Sequence, residues 1–255
     1  MDLVRASHLY KVFGKNERQV IERLKAGESR EELASLGTAA VIDVSFEVAK
    51  GETFVVMGLS GSGKSTLIRM INGLWSPSEG TVEVAGKVVS DMNDAQLRAL
   101  RRDHVSMVFQ HFALLPHLTV RENAAYGLKL QGKLKQKERL EKANEWLNTV
   151  GLNGWGDKYP HQLSGGMQQR VGLARALAAE TDILLMDEAS SALDPLIRRE
   201  MQDQLLELQG ALNKTIIFIT HDLNEAMYLG DHIAVMRNGR VSYTHLRAHE
   251  TLRYL

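Results

Sequence analysis

The chain has 255 residues, enough for one large domain or two modest ones, and its Lys plus Arg and Asp plus Glu counts are equal at 31 each. No bulk field therefore draws it toward nucleic acid or acidic lipid, and any anion it binds must be held locally. It contains no cysteine, which excludes disulfides and thiolate metal sites. Its apolar runs, such as TFVVMG, DILLMDE and TIIFITHD, fall far short of the roughly 20 residues of a bilayer span. The start, MDLVRASHLYKVFG, lacks a signal-peptide apolar stretch, so a chain soluble by itself is expected.

From the N-terminus, NERQVIERLKAGESREELASLG carries apolar Val20, Ile21 and Leu24, then Ser29 with Glu32 three residues on. This is a capping-box pattern before Leu33 and Leu36, and the stretch predicts two short surface helices. Beyond it, short runs rich in Val, Ile, Leu and Met alternate with helical patterns, which predicts an α/β sheet of mostly parallel strands buried on both faces. Four runs end in polar residues: TFVVMG enters a glycine loop, VSMVF leads into Gln110, ILLM into Asp187 and Glu188, and TIIFIT into His221. In open α/β sheets ligands bind beyond the carboxyl ends of the strands, so these residues are expected to converge.

The first loop is GLSGSGKST. Gly58, Gly63, Lys64 and Ser65 fit G-x-x-x-x-G-K-[ST] between a strand and the helical STLIRMINGL. Glycines let backbone N–H groups wrap phosphates without Cβ obstruction, and the following helix directs its positive end at them. Ser60, Gly61, Ser62 and Thr66 belong to the same cradle. Lys64 would neutralise the β and γ phosphates while the Ser65 hydroxyl meets magnesium.

Between about Gln110 and Glu180 the strand signal disappears. KERLEKANEWLNTVGL puts Leu140, Ala143, Leu147 and Val150 on one stripe before Gly151, which predicts a helical subdomain over about 111–178. Within it, LSGGMQQR opens another helix. Ser164, Gly165 and Gly166 are either an ordinary capped helix start or a second anion cradle of unpaired donors. Farther on, ILLMDE ends in two adjacent carboxylates, Asp187 suited to magnesium and Glu188 to polarising a water. His221, after the next buried strand, is either a structural histidine or one that could hydrogen-bond a γ phosphate.

Taken together, the phosphate loop, Gln110, LSGGMQQR, ILLMDE, SALD and His221 occur in the order found in ATP-binding cassette ATPases, which the chain resembles from Leu3 to about Arg240. The resemblance implies a P-loop NTPase core with an N-terminal antiparallel β region and an inserted α-helical subdomain. It also implies ATP and Mg2+ as ligands, and a head-to-tail dimer of two copies in which LSGG of one caps the nucleotide of the other. By the same resemblance Phe13 stacks on adenine, Gln110 contacts magnesium and the attacking water, Asp194 communicates between the two sites, Glu188 is the catalytic carboxylate and His221 the switch histidine. Phe112, Leu114 and Leu115 correspond to a groove that receives a membrane permease. That would make the protein peripheral on the cytoplasmic face, acting indirectly with an extracytoplasmic substrate-binding protein and not on nucleic acid.

The stretch from Phe13 to Gly58 is longer than in most cassette ATPases, an insertion over about 15–40. With MVFQHFALLPHLTV and DEASSALDPLIRREMQDQL, it is similar to the ATPase subunits of bacterial glycine betaine/proline importers. Residues 1–240 thus read as one nucleotide-binding domain. The tail 241–255 departs from the family pattern and is expected to be a truncation or read-through. His245 and His249 lie four apart without a third ligand and read as an accident of spacing.

Overall fold

The computed structural model describes residues 2–109, 112–188 and 195–244. The chain divides into two compact units, Met1–Leu97 with Ile217–Leu255, and Arg98–Ile216.

In the first unit, β1 (Asp2–Phe13) leads through helix α1 (Glu17–Lys25) to β2 (Thr38–Ala49), its antiparallel partner. Along β2, Val44, Phe46 and Val48 are buried while Asp43, Ser45 and Glu47 are exposed, the period of two expected of a sheet with one covered face. The α1 side chains Val20, Ile21 and Leu24 pack with Tyr10, Val12, Leu33, Ala39 and Ile42, so a small core ties the insertion to β1 and β2.

The sequence predicts two helices in this insertion and the structure holds one. Ser29 and Glu32 do form their reciprocal bonds: the Ser29 N–H donates to Glu32 Oε2 at 2.7 Å and the Glu32 N–H to Ser29 Oγ at 3.3 Å. Residues 30–36 nevertheless run as turns. The stretch lies between left-handed Gly27 (φ +100°) and Gly37, where an added Cβ would sit 3.1 Å from the Phe13 carbonyl oxygen. So short a segment cannot repay helix nucleation, and burial of Leu33 fixes it instead.

Strand β3 (Thr53–Met57) enters the phosphate loop, followed by α2 (Lys64–Ile71), then β4 (Glu79–Val84) and β5 (Lys87–Val88). Strand β4 pairs antiparallel with β1, giving a sheet in the order β2-β1-β4-β5. The boundary between the units falls within α3 (Asp94–Asp103).

The second unit contains β6 (Val105–Val108) and helices α4 (Val120–Ala124), α5 (Tyr126–Gln131), α6 (Gln136–Thr149) and α7 (Gly165–Ala178). It continues with β7 (Ile183–Asp187) and α8 (Pro195–Leu212). Strands β6 and β7 run parallel, with Val105 opposite Ile183 and Val108 opposite Met186. Helix α6 buries Ala143 and Leu147 and stops at left-handed Gly151 (φ +74°).

The chain returns to the first unit within β8 (Thr215–Thr220), then forms α9 (Leu223–Leu229), β9 (His232–Arg237) and β10 (Arg240–Thr244). There the order is β10-β9-β3-β8, with β3 and β9 parallel and β10 antiparallel to β9. Of the tail, residues 241–244 thus belong to a paired strand, and 245–255, with His245 and His249, lie outside the described residues.

Candidate functional site

The phosphate loop sits at the carboxyl end of β3, whose Thr53, Phe54, Val55 and Val56 are all buried. Its backbone is set by close packing. A Cβ on Gly58 would stand 2.2 Å from the Met236 carbonyl oxygen, and one on Gly63 2.1 Å from that of Ala40. Gly63 (φ +106°) and Gly61 (φ +75°) lie in the left-handed region. Gly63 immediately precedes α2, so the helix N-terminus opens onto the loop.

Lys64, the first residue of α2, is 3% exposed. Its ammonium folds back onto the loop, donating to the carbonyl oxygens of Gly58 (2.7 Å) and Leu59 (3.0 Å). The Ser62 backbone is held at both ends, its N–H by Leu59 and its carbonyl by the Gly239 N–H. The Ser62 hydroxyl is buried and makes no hydrogen bond among the described residues. Ser60 and Gly61 are exposed at the loop tip, while Ser65 and Thr66 are half-buried on the first turn of α2. A left-handed glycine loop closed on a buried ammonium at a helix N-terminus is chemically an oxyanion cradle.

The neighbouring strand end joins this loop. The Gly58 N–H donates to the Thr220 carbonyl at 3.3 Å, so His221 leaves β8 directly beside the phosphate loop, exposed to solvent. Asp222 then caps α9, its carboxylate accepting from the Asn224 N–H at 2.8 Å. Thr220 Oγ1 in turn donates to the buried Glu225 carboxylate, which keeps this exit rigid. Phe13, at the end of β1, is 37% exposed and meets the Trp75 ring edge-on at 4.8 Å between centroids. Lys11 Nζ lies 5.2 Å from the Phe13 ring centre.

The second unit holds the remaining described candidates. Asp187 ends β7 and is 2% exposed. Glu188 follows with φ +46°, a left-handed backbone on a non-glycine residue, the kind of strain that persists only where surrounding structure enforces it. Ser164 is the N-cap of α7, its Oγ accepting from the Met167 N–H at 3.3 Å. A Cβ added at Gly165 would meet nothing within 4 Å. Gln110 and Asp194 lie outside the described residues.

Phe112, Leu114 and Leu115 are half-buried. Two polar residues that the sequence reading missed hold this segment. Asn123, buried on α4, accepts from the Leu115 N–H (2.8 Å) and donates to the carbonyls of Leu115, Leu118 and Thr119 at 3.0–3.1 Å. Arg175, on α7, donates to the carbonyls of Phe112 and Ala113. Neither residue sits in a motif, and only the folded contacts reveal them.

Strand, glycine loop and helix make the first unit a phosphate-binding fold of the P-loop type. A family model described as ABC transporter matches residues 41–191. The glycine betaine transport ATP-binding protein OpuAA of Bacillus subtilis is 54% identical over 240 residues, covering 93% of this chain and 57% of that protein. The glycine betaine/carnitine transport ATP-binding protein GbuA of Listeria monocytogenes is 53% identical over 247 residues, covering 96% of this chain and 62% of its own length. Among solved structures, the ATP-binding cassette MJ0796, a dimer in a post-hydrolysis state bound to ADP and Pi, superposes with a TM-score of 0.82 at 33% identity. That match covers 95% of this chain and 97% of the solved one. The chain therefore belongs to the ABC transporter family, with the fold of its ATP-binding cassettes. It spans less than two thirds of the length of the two curated relatives.

Proposed function

We propose that the chain is the ATP-binding, ATP-hydrolysing subunit of an importer for glycine betaine/proline-type quaternary amines. The observation that carries this reading is the phosphate loop: a buried lysine closed on its own loop carbonyls at a helix N-terminus is built to exchange those carbonyls for phosphate oxygens. The names of the close relatives support the solute class.

In this reading Gly58, Ser60, Gly61, Ser62, Gly63, Lys64, Ser65 and Thr66 hold the triphosphate and Phe13 stacks on adenine. Ser65, Asp187 and Gln110 are oxygen donors of the hard kind that magnesium prefers, so the residues present fit that cation. When bound, magnesium neutralises charge on the β and γ phosphates. Glu188 takes the proton side of the attacking water, and His221 hydrogen-bonds the γ phosphate. Phosphoryl transfer to water needs such positioning and charge stabilisation more than covalent chemistry.

Ser164, Gly165 and Gly166 offer the donors of a helix N-terminus to the nucleotide of a second copy, and Asp194 lies at the resulting interface. The dimeric cassette relative supports this assembly. The γ phosphate is then the contact that distinguishes closed from open dimer, and its loss permits opening. The half-buried Phe112, Leu114 and Leu115 receive the permease. This places the protein peripherally on the cytoplasmic face of the membrane and indirectly in series with an extracytoplasmic substrate-binding protein.

Glu188→Gln is expected to retain ATP binding, accumulate as a dimer at saturating ATP and lose at least about a hundredfold in turnover, since the shape is kept and the base removed. Hydrolysis at the parental rate would overturn the assignment of Glu188. Uptake assays with the cognate permease test the solute: accumulation of glycine betaine supports the proposal, and accumulation of an unrelated solute in its place refutes it.

A further inference from the structure

The segment that follows Gln110 has an uncommon backbone. Phe112 (φ +57°) and Ala113 (φ +47°) are consecutive non-glycine residues in the left-handed region, where an L side chain crowds its own carbonyl. Two such residues in a row do not persist unless something outside the segment enforces them. Their local bonding is slight: the Phe112 N–H donates to the Phe109 carbonyl at 3.0 Å.

What enforces them comes from 62 and 63 residues away. The Arg175 guanidinium donates from Nη1 to the Ala113 carbonyl at 2.7 Å and from Nη2 to the Phe112 carbonyl at 2.9 Å. A planar fork with two parallel donors suits two adjacent carbonyls turned the same way, which is what a left-handed pair presents. Burial pushes the Arg175 pKa down, with Tyr126 opposing. Among the described residues no carboxylate bridges to it, whereas Arg170 on the same helix bridges to Glu200 at 3.3 Å. The fork is thus committed to backbone. Helix α7 also comes close at Gly172, whose added Cβ would lie 3.6 Å from the Phe112 carbonyl oxygen.

We propose that Arg175 is a positioning residue that locks residues 112–113 in their left-handed conformation and so ties the helix begun by Ser164 and Gly165 to the segment after Gln110. One rigid helix then carries the cross-dimer turn at one end and the lock on the permease-facing segment at the other. A displacement of either is felt by the other. The inference rests on the function proposed above for its consequence in turnover, but not for its structural content.

The experiment compares the full chain with Arg175→Ala, Arg175→Lys and Arg175→Ala/Ala113→Gly. Hydrogen exchange reads the lock without any reference to activity. In Arg175→Ala, and in Arg175→Lys should the first not fold, amides of 112–118 are expected to exchange at least about tenfold faster while those of 165–178 are unchanged. Lysine keeps the charge but lacks the fork. In ATPase assays Arg175→Ala is expected to lower kcat about tenfold with KM for ATP within about twofold. Ala113→Gly should restore at least half of that loss, because glycine takes the left-handed backbone unaided. Unchanged exchange over 112–118, equal acceleration throughout α7, or the absence of rescue by glycine would overturn the proposal. A wild-type chain without ATPase activity would sink the proposed function instead, leaving the exchange result to decide this one.

Discussion

The two glycine turns of this molecule need their glycines for opposite reasons. In the phosphate loop, Gly58 and Gly63 are demanded by the chain itself: neighbouring carbonyl oxygens stand 2.2 and 2.1 Å from where a Cβ would be. At Gly165 the helix has ordinary backbone and open space, so a side chain would harm nothing inside the protein. A glycine that its own fold does not require, at the donor-bearing start of a helix, leaves room for something to approach from outside. Internal packing thus explains the first turn; at the second, in the function proposed above, the open glycine leaves the helix N-terminal donors accessible to an anion.

The largest expected effect that would break this contrast is at Gly63. Gly63→Ala adds backbone overlap to a left-handed φ, and is expected to lower unfolding free energy by about 2–4 kcal/mol, measured by denaturant titration. An unchanged midpoint would mean that the loop relaxes freely, and the contrast would fail. Gly165→Ala sharpens the other side. Its unfolding free energy should stay within about 0.5 kcal/mol of the parent, as for an exposed substitution that touches nothing. In a Glu188→Gln background it should nonetheless impair the ATP-dependent dimer, measured by size-exclusion chromatography at saturating nucleotide. Loss of stability with an intact dimer would reverse the roles assigned to the two turns.

How much of this was readable in advance follows from sequence distance. The strands TFVVM, ILLMD and TIIFIT are short, apolar and bounded by polar residues, and each is buried as expected from that pattern. The phosphate loop and the α7 N-cap are local motifs, in which the residues that interact lie within a few positions of each other. Arg175 and Asn123 were not readable. An arginine in a helix-forming stretch normally signals a solvated face, and its choice of the Phe112 and Ala113 carbonyls depends on a left-handed backbone for which neither residue type gives a cue. The second helix of the insertion was misread because a capping pattern marks where a helix can start, not whether enough chain follows to sustain it.

The insertion's Ser29–Glu32 pair and the Thr119–Glu122 pair are the same device with different outcomes. Thr119 opens α4, its Oγ1 accepting from the Glu122 N–H at 3.2 Å while its own N–H donates to Glu122 Oε2 at 2.8 Å. Ser29 makes matching bonds and opens only turns. In both, the backbone N–H of the capping residue, then its hydroxyl, hold the glutamate pKa below its ordinary value. A carboxyl depressed in the folded state contributes stability that is present above the unfolded pKa and lost as pH falls through the folded one. Because Glu122 is largely exposed, that contribution is below about 0.5 kcal/mol. The smallest of the predicted effects follows: Glu122→Gln should be slightly less stable than the parent near pH 7. The difference should shrink as pH falls below the ordinary glutamate range, read from paired denaturant titrations across acid pH. A gap that widens on acidification would show that the bonds to Thr119 do not favour the ionised carboxyl, and the box would then be geometry without electrostatic consequence.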